Sequence, residues 1–362
     1  MPKIEAFTTH RLSIPFERPL RTGNHLYVTL ENVLIEVQAE GLTGIGYAFN
    51  FAPGQAEAVR LLAEDLAKTL IGKPVEDFKR HWADLWTRLN FIGHAGPPVV
   101  ALAMIDTALW DLFAQSQGLP LYKLLGAMRD EVELYPTGGF LTDPIQSVIE
   151  EVQRHRTNGF NRCKIKVGRS DWAVDVARVR ALREAVGDAF GIMVDVNQAW
   201  SVNTAIEAGR HLQDEGVIWY EEPVSCYDIA GTARVADALA MPVAAGESVF
   251  TRHGHLALID GGACDTLMLN LMRTGGPTEF MRVGELAAAR FLPVSSHTFT
   301  EISAHMIAAM PNGTLAEYLP GWWDNLFDEP SRIENGVLKL SNRPGVGVKF
   351  SREAIRRYGS AA

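Results

Sequence analysis

The chain has 362 residues, of which 47% are hydrophobic and 21% charged, and its formal net charge is -9. That is enough chain for one large core or two domains, and the composition is ordinary for a globular protein. The acidic balance, with no block of Lys and Arg to offset it, argues against a nucleic-acid or anionic-membrane partner. A small anionic substrate is still compatible with it, because a buried metal reverses the local field.

The first residues show no apolar stretch behind a basic end, so no signal peptide is expected, and no uninterrupted apolar run reaches the ~18 residues of a spanning helix. Cys163, Cys226 and Cys264 form no metal-spaced pair and read as reduced, buried residues. A cytoplasmic protein is the expectation.

Residues 27–38 carry Val28, Leu30, Val33, Ile35 and Val37 and read as a strand, with Gly41, Gly44 and Gly46 as turn formers after it. The polar run from Arg18 to His25 reads as a loop. Val100, Ala103, Met104, Ala108 and Leu112 then recur at helical spacing until Gly118-Leu119-Pro120 stops the helix. Strands followed by helices predict an α+β unit over residues 1–125.

From about residue 130, short apolar runs alternate with amphipathic stretches. Strands are predicted at 133–137, 162–167, 192–197, 217–222, 242–247, 266–270, 292–297 and 314–318, with helices such as 173–186 and 204–215 between them. This is the α/β pattern of a modified (β/α)8 (TIM) barrel over 126–320, shorter than the usual ~250 residues because its loops are short. An open doubly wound sheet competes, but no G-x-G-x-x-G follows the first strand of either half. The irregular segment 321–362 predicts a return to the N-terminal unit.

Seven consecutive predicted strands finish on a polar side chain: Lys164 and Lys166, then Asp195 with Asn197, Glu221, Glu247, Asn270, His297 and Glu317. Barrel active sites sit at the C-terminal strand ends, so these groups share one rim. Asp195, Glu221 and Glu247 are spaced evenly, 26 residues to each step, which places them at equivalent points of successive β/α units. Three converging carboxylates repel one another unless a hard cation lies between them, and an all-oxygen set points to Mg²⁺. Lys164 and Lys166, two apart in a strand, face the same side. If both point inward, each lowers the other's pKa, and the inner one becomes a base near neutral pH. Asn270 stands beside His297, where its side-chain oxygen can accept the imidazole N–H and fix the tautomer.

These motifs resemble the enolase superfamily, and within it the mandelate racemase branch. Lys164-Ile165-Lys166, the three acids, His297 with Glu317, and the run from Ser295 to His305 carry the likeness, which extends over most of the chain to Pro344-Gly345-Val346-Gly347-Val348. The resemblance implies that residues 1–125 are a capping domain whose loops, about 19–27 and 47–54, close over the substrate. It implies Mg²⁺ on Asp195, Glu221 and Glu247, chelating a small carboxylic acid and stabilising the enediolate formed on proton loss. Lys166 is then the base on one face, tuned by Lys164, and His297 the acid or base on the other. Glu317, kept protonated, would donate to the substrate carboxylate. Asn197, Thr137 and, from the cap, His25 would bind substrate oxygens. A homo-oligomer is expected.

One departure stands out, because the racemase pattern has Asp where this chain has Asn270. Without that charge His297 is a weaker base. Dehydration of a sugar acid or hydroxy acid is therefore favoured over racemisation, epimerisation and cycloisomerisation, which all begin with the same proton abstraction. Two other readings are a binding protein of this fold that has lost turnover, and an aldolase with a Schiff-base lysine. No expected base or ligand is missing, and the three spaced acids weigh against the aldolase.

Overall fold

A computed structural model describes residues 2–329 and 331–359; residues 330 and 360–362 of the expected tail lie outside them. Strands β1 (Ala6–Arg21), β2 (Leu26–Ala39) and β3 (Leu42–Asn50) form an antiparallel sheet in that order. The run expected to be a loop is half strand. β1 continues through Arg21, and only Thr22 to His25 turn, with the Thr22 N–H donating to the His25 carbonyl at 2.9 Å. Pro15 and Pro19 bring no N–H to the ladder, and the register shifts between Pro15 and Leu20, as a bulge requires.

Helices α1 (Pro53–Lys68), α2 (Phe78–Arg88) and α3 (Pro97–Ser116) follow, and α3 lies on β3 and β2. Gly44 and Gly46 are not turn residues. They sit within β3 where α3 comes close, and a Cβ on them would stand 2.0 Å from the Ala108 carbonyl oxygen and 2.1 Å from that of Met104. Asp106 and Asp111 interrupt the apolar run of α3 as expected; by length and composition alone the helix could still cross a membrane, but 78% of its apolar window is buried in the protein. A helix buried on nearly every side, with Asp106 and Asp111 hydrogen-bonded, is what a core position demands.

The barrel has eight parallel strands: β4 (Glu131–Gly138), β5 (Arg162–Lys166), β6 (Gly191–Asp195), β7 (Val217–Glu221), β8 (Val243–Ala245), β9 (Thr266–Asn270), β10 (Val294–His297) and β11 (Gly313–Tyr318). Each pairs with the next, and β11 pairs with β4 to close the ring. All eight lie where the apolar runs placed them. Tyr135, Met193, Trp219, Ala244, Met268 and Leu315 form one apolar cluster from the strands. Burying an apolar side chain of this kind contributes about 1.5–3 kcal/mol.

No eighth barrel helix follows β11 among the described residues. The tail instead divides. Hairpin β12 (Ile333–Glu334) and β13 (Val337–Lys339) adds antiparallel to β4 on the barrel. The last helix, Arg352–Tyr358, packs on β1, with Arg352 paired to Glu36 at 2.5 Å, and Trp323 Nε1 donates to Asn32 Oδ1 at 3.0 Å. Cys163 and Cys264 are buried as expected, whereas Cys226 is half-buried; all three are free thiols.

Candidate active site

Lys164 and Lys166 both point inward from β5 and are buried. Lys164 Nζ lies 2.5 Å from Glu221 Oε1 and 2.8 Å from Glu317 Oε1, and Lys166 Nζ lies 2.5 Å from Asp195 Oδ2. The expected lowering of the Lys166 pKa by its neighbour is not what the protein's own groups produce. Burial and Lys164 act to lower it, but Asp195 and the other acids outweigh them and hold it above the ordinary lysine value.

Asp195 ends β6 and Glu221 ends β7, while Glu247 lies two residues beyond the short β8. Gly246 makes that reach, with φ of 127°, a conformation side-chain-bearing residues rarely adopt. Each acid offers an oxygen within 4.8 Å of the others, and all three are buried. Burial, with Glu222 and Asp195, pushes the Glu247 carboxyl up to about 8. Burial also carries Glu221 well above its usual value, with Asp195 and Glu247 adding to it against Lys164. Glu247 Oε2 has no hydrogen-bond partner although fully enclosed. A buried oxygen without a partner, in a carboxylate cluster that resists ionising together, fits a hard divalent cation.

Glu317 departs from its expected role. Oε1 accepts from Thr137 Oγ1 at 2.6 Å and sits on Lys164, while Oε2 accepts the Thr298 N–H at 3.0 Å. Burial would raise its pKa, but Lys164, His297 and Lys166 outweigh that and hold it at about 2. The groups around it are donors, so its contacts are those of an acceptor and not those of the expected donor.

The Asn270–His297 contact also runs opposite to expectation. Asn270 Oδ1 accepts the backbone N–H groups of Met272 (3.0 Å) and Arg273 (2.9 Å), capping the helical turn Leu271–Thr274. Its amide nitrogen is therefore the group that faces His297 Nδ1, at 2.7 Å. A donor there makes Nδ1 the acceptor and leaves the imidazole proton on Nε2. Burial, reinforced by Lys164, Arg273 and Lys166, pulls His297 down to about 3. Nε2 is 3.2 Å from Glu247 Oε2, outside hydrogen-bond geometry, and borders the cavity.

Over these groups lies a cavity of about 80 Å³, with Lys166, Glu247, His297, Glu317 and Asn197 on the barrel side. Thr22 and Tyr27 of the β1–β2 hairpin face them from the cap, with Phe49 and Phe51 from the end of β3.

The profile of the mandelate racemase / muconate lactonizing enzyme N-terminal domain matches residues 3–126, and that of the enolase C-terminal domain-like family matches residues 147–354. The chain belongs to the enolase superfamily. This superfamily member is 37% identical to the L-talarate/galactarate dehydratase of Salmonella typhimurium over 90% of its own length and 81% of the relative's. It is 32% identical to the 3,6-anhydro-alpha-L-galactonate cycloisomerase of Streptomyces coelicolor, over 98% and 99%. The solved structure of the Salmonella dehydratase with Mg and L-lyxarohydroxamate superposes with a TM-score of 0.95 at 34% identity, over 99% of this chain and 93% of that one. The protein is an enzyme, a lyase or isomerase, and Mg²⁺ is its cofactor.

Within this enolase-superfamily site the expected substrate contacts are partly redistributed. Asn197 lines the cavity and its buried Oδ1 has no partner. Thr137 instead spends its hydroxyl on Glu317. His25 is exposed at the hairpin tip, stacked on Tyr27 with ring centroids 5.8 Å apart, and does not line the cavity. Residues missed from sequence include Trp219, whose Nε1 donates to Glu221 Oε2 at 2.7 Å, and Arg273, which donates to the Glu247 carbonyl at 2.9 Å. Trp219 was within reach, since it lies two residues before Glu221 on the same face of β7. Asn197, Gln198, Glu222, Thr298 and Phe299 follow β6, β7 and β10 with positive φ, the backbone strain that gathers at functional sites.

Proposed function

We propose that this enzyme dehydrates a sugar acid or related hydroxy acid, with Lys166 as its one proton acceptor. The carrying observation is the polarity of the Asn270–His297 contact. Two-base racemisation needs a group on each face that can take a proton. Here His297 already holds one on Nε2, and a protonated Nδ1 would meet the Asn270 amide hydrogens.

Bound by Asp195, Glu221 and Glu247, Mg²⁺ supplies positive charge that acidifies the C–H alpha to a carboxylate and stabilises the enediolate. With the charge of Asp195, Glu221 and Glu247 offset by the cation they would hold, the acids no longer keep Lys166 protonated, and burial and Lys164 favour its neutral amine. That amine takes the α-proton, and the electron pair passes into the carboxylate. The C–O bond at the β-carbon then breaks. The departing hydroxide receives the proton now held by Lys166 and leaves as water from the same face, and the remaining enol ketonises with a solvent proton to a 2-keto-3-deoxy acid. His297 donates its Nε2–H to a substrate oxygen from the other side, as a neutral imidazole does in an electrophilic role. Asn197 Oδ1 and ionised Glu317 accept hydrogen bonds from substrate hydroxyls. The sugar-acid names of the dehydratase and cycloisomerase relatives support the substrate class.

Incubation with Mg²⁺ and a library of acid sugars, followed by chemical detection of 2-keto acids, tests the reading. A 2-keto-3-deoxy product from at least one acid is expected. Epimerised or cyclised acids with no 2-keto product would refute it.

A further inference from the structure

One wall of the cavity is made of rings, Tyr27 and Phe51 from the cap and Phe140 and Trp322 from the segments after β4 and β11. Tyr27 stacks on Phe51 with centroids 3.7 Å apart and planes at 22°, and Phe51 meets Trp322 edge-on at 6.0 Å. Trp322 lies parallel to Phe140 at 6.4 Å. The polar groups on this wall are the hydroxyls of Thr22 and Tyr27. Apart from His297, the cationic side chains lining the cavity, among the described residues, are Lys166 and Arg273, both on the barrel side. Lys166 is paired with Asp195, and Arg273 is bonded to the Glu247 carbonyl and to Ser248 Oγ at 3.3 Å. Arg18 lines a different cavity beyond Phe140 and Trp322, where it is paired with Asp143 at 2.7 Å.

We infer that the substrate is a monocarboxylic acid whose far end is uncharged: a sugar monoacid, with a terminal deoxy carbon favoured. This rests on the proposed reading only in that the substrate carboxylate lies at the three acids. A second carboxylate would then be pressed against the rings, stripped of water and without a cation. The C–H face of a sugar monoacid suits aromatic rings, and the Thr22–Tyr27 pair can meet one hydroxyl. Discrimination of this kind is asymmetric, because an unpaired buried charge is rejected far more strongly than a missing methyl group.

The test uses the Mg²⁺-loaded enzyme with stereoisomeric panels of six-carbon aldonates, 6-deoxyaldonates and aldarates. Turnover is read as kcat/KM, and binding by calorimetry on Lys166→Ala, where chemistry is blocked. The best monoacid should exceed the best diacid by at least ~10²-fold in affinity. Phe51→Arg, checked for fold by circular dichroism, should narrow that ratio. A diacid that binds as tightly as every monoacid overturns the inference, as does failure of both classes to bind. Tight, selective monoacid binding without 2-keto product would defeat the dehydration reading and leave this one intact. Efficient dehydration with diacids preferred would do the reverse.

Discussion

Asn270 donates to His297 Nδ1 at 2.7 Å because its own oxygen is committed to the N–H groups of Met272 and Arg273. A helix cap thus sets the tautomer of a histidine that lines the cavity. Asn270→Asp keeps an oxygen for the cap and puts a carboxylate against Nδ1. It should move the imidazole proton to Nδ1, raise the His297 pKa and leave a lone pair on Nε2 facing the cavity. Proton NMR in D₂O should then show new exchange or inversion at the α-carbon on the His297 face. An unchanged exchange pattern and pH–rate profile would mean that the contact does not govern the tautomer.

Lys164 is wholly enclosed between Glu221 and Glu317. Lys164→Met would leave two buried carboxylates without their cation, at a cost of about 3–5 kcal/mol. Urea unfolding in EDTA measures this directly, and a loss below ~1 kcal/mol would show that these ion pairs do not hold the strand ends together.

His25 and Asn197 were both expected to contact substrate, but of the two only Asn197 lines the cavity. His25→Ala should leave kcat/KM within about twofold, since an exposed side chain off the cavity makes no contact to lose. Asn197→Ala removes an inward acceptor and should lower kcat/KM by ~10- to 100-fold. Steady-state kinetics on the best acid that turns over decides between them.

Asp106 on α3 tests the core independently of catalysis. It accepts from the Thr278 N–H and Oγ1, each at 2.8 Å, yet burial raises it from 3.8 to about 7. The folded state therefore holds this proton longer than the unfolded chain. Stability from this group is present below its unfolded pKa and is lost as pH rises through about 7, the reverse of a salt-bridged acid. Asp106→Asn keeps the backbone bond and removes the titration. The Tm difference between variant and wild type should move in the variant's favour from pH 5 to pH 8. An equal difference at both would show that Asp106 is ionised throughout.

The legible part of this protein was what backbone periodicity controls. Eight apolar runs placed the eight barrel strands, and even spacing brought Asp195, Glu221 and Glu247 together, because a repeated β/α unit converts sequence distance into position on a ring. The illegible part was set by contacts distant in sequence or by hydrogen-bond direction. Glu317 looked like a protonated donor until Thr137, Lys164 and Thr298 were seen to surround it with donors. The direction of the Asn270 amide depended on a helical turn too short for periodicity to register. Gly44 and Gly46 read as turns because the approach of α3 comes from about 60 residues downstream.

The most direct measurement follows the α-hydrogen of a substrate analogue lacking the β-hydroxyl, which cannot eliminate, in D₂O with Mg²⁺. Lys166 as the single proton acceptor predicts deuterium at the α-carbon with retained configuration, loss of all exchange in Lys166→Ala, and slower but surviving exchange in His297→Asn. Racemised analogue from the wild type, or exchange that persists without Lys166, would contradict it.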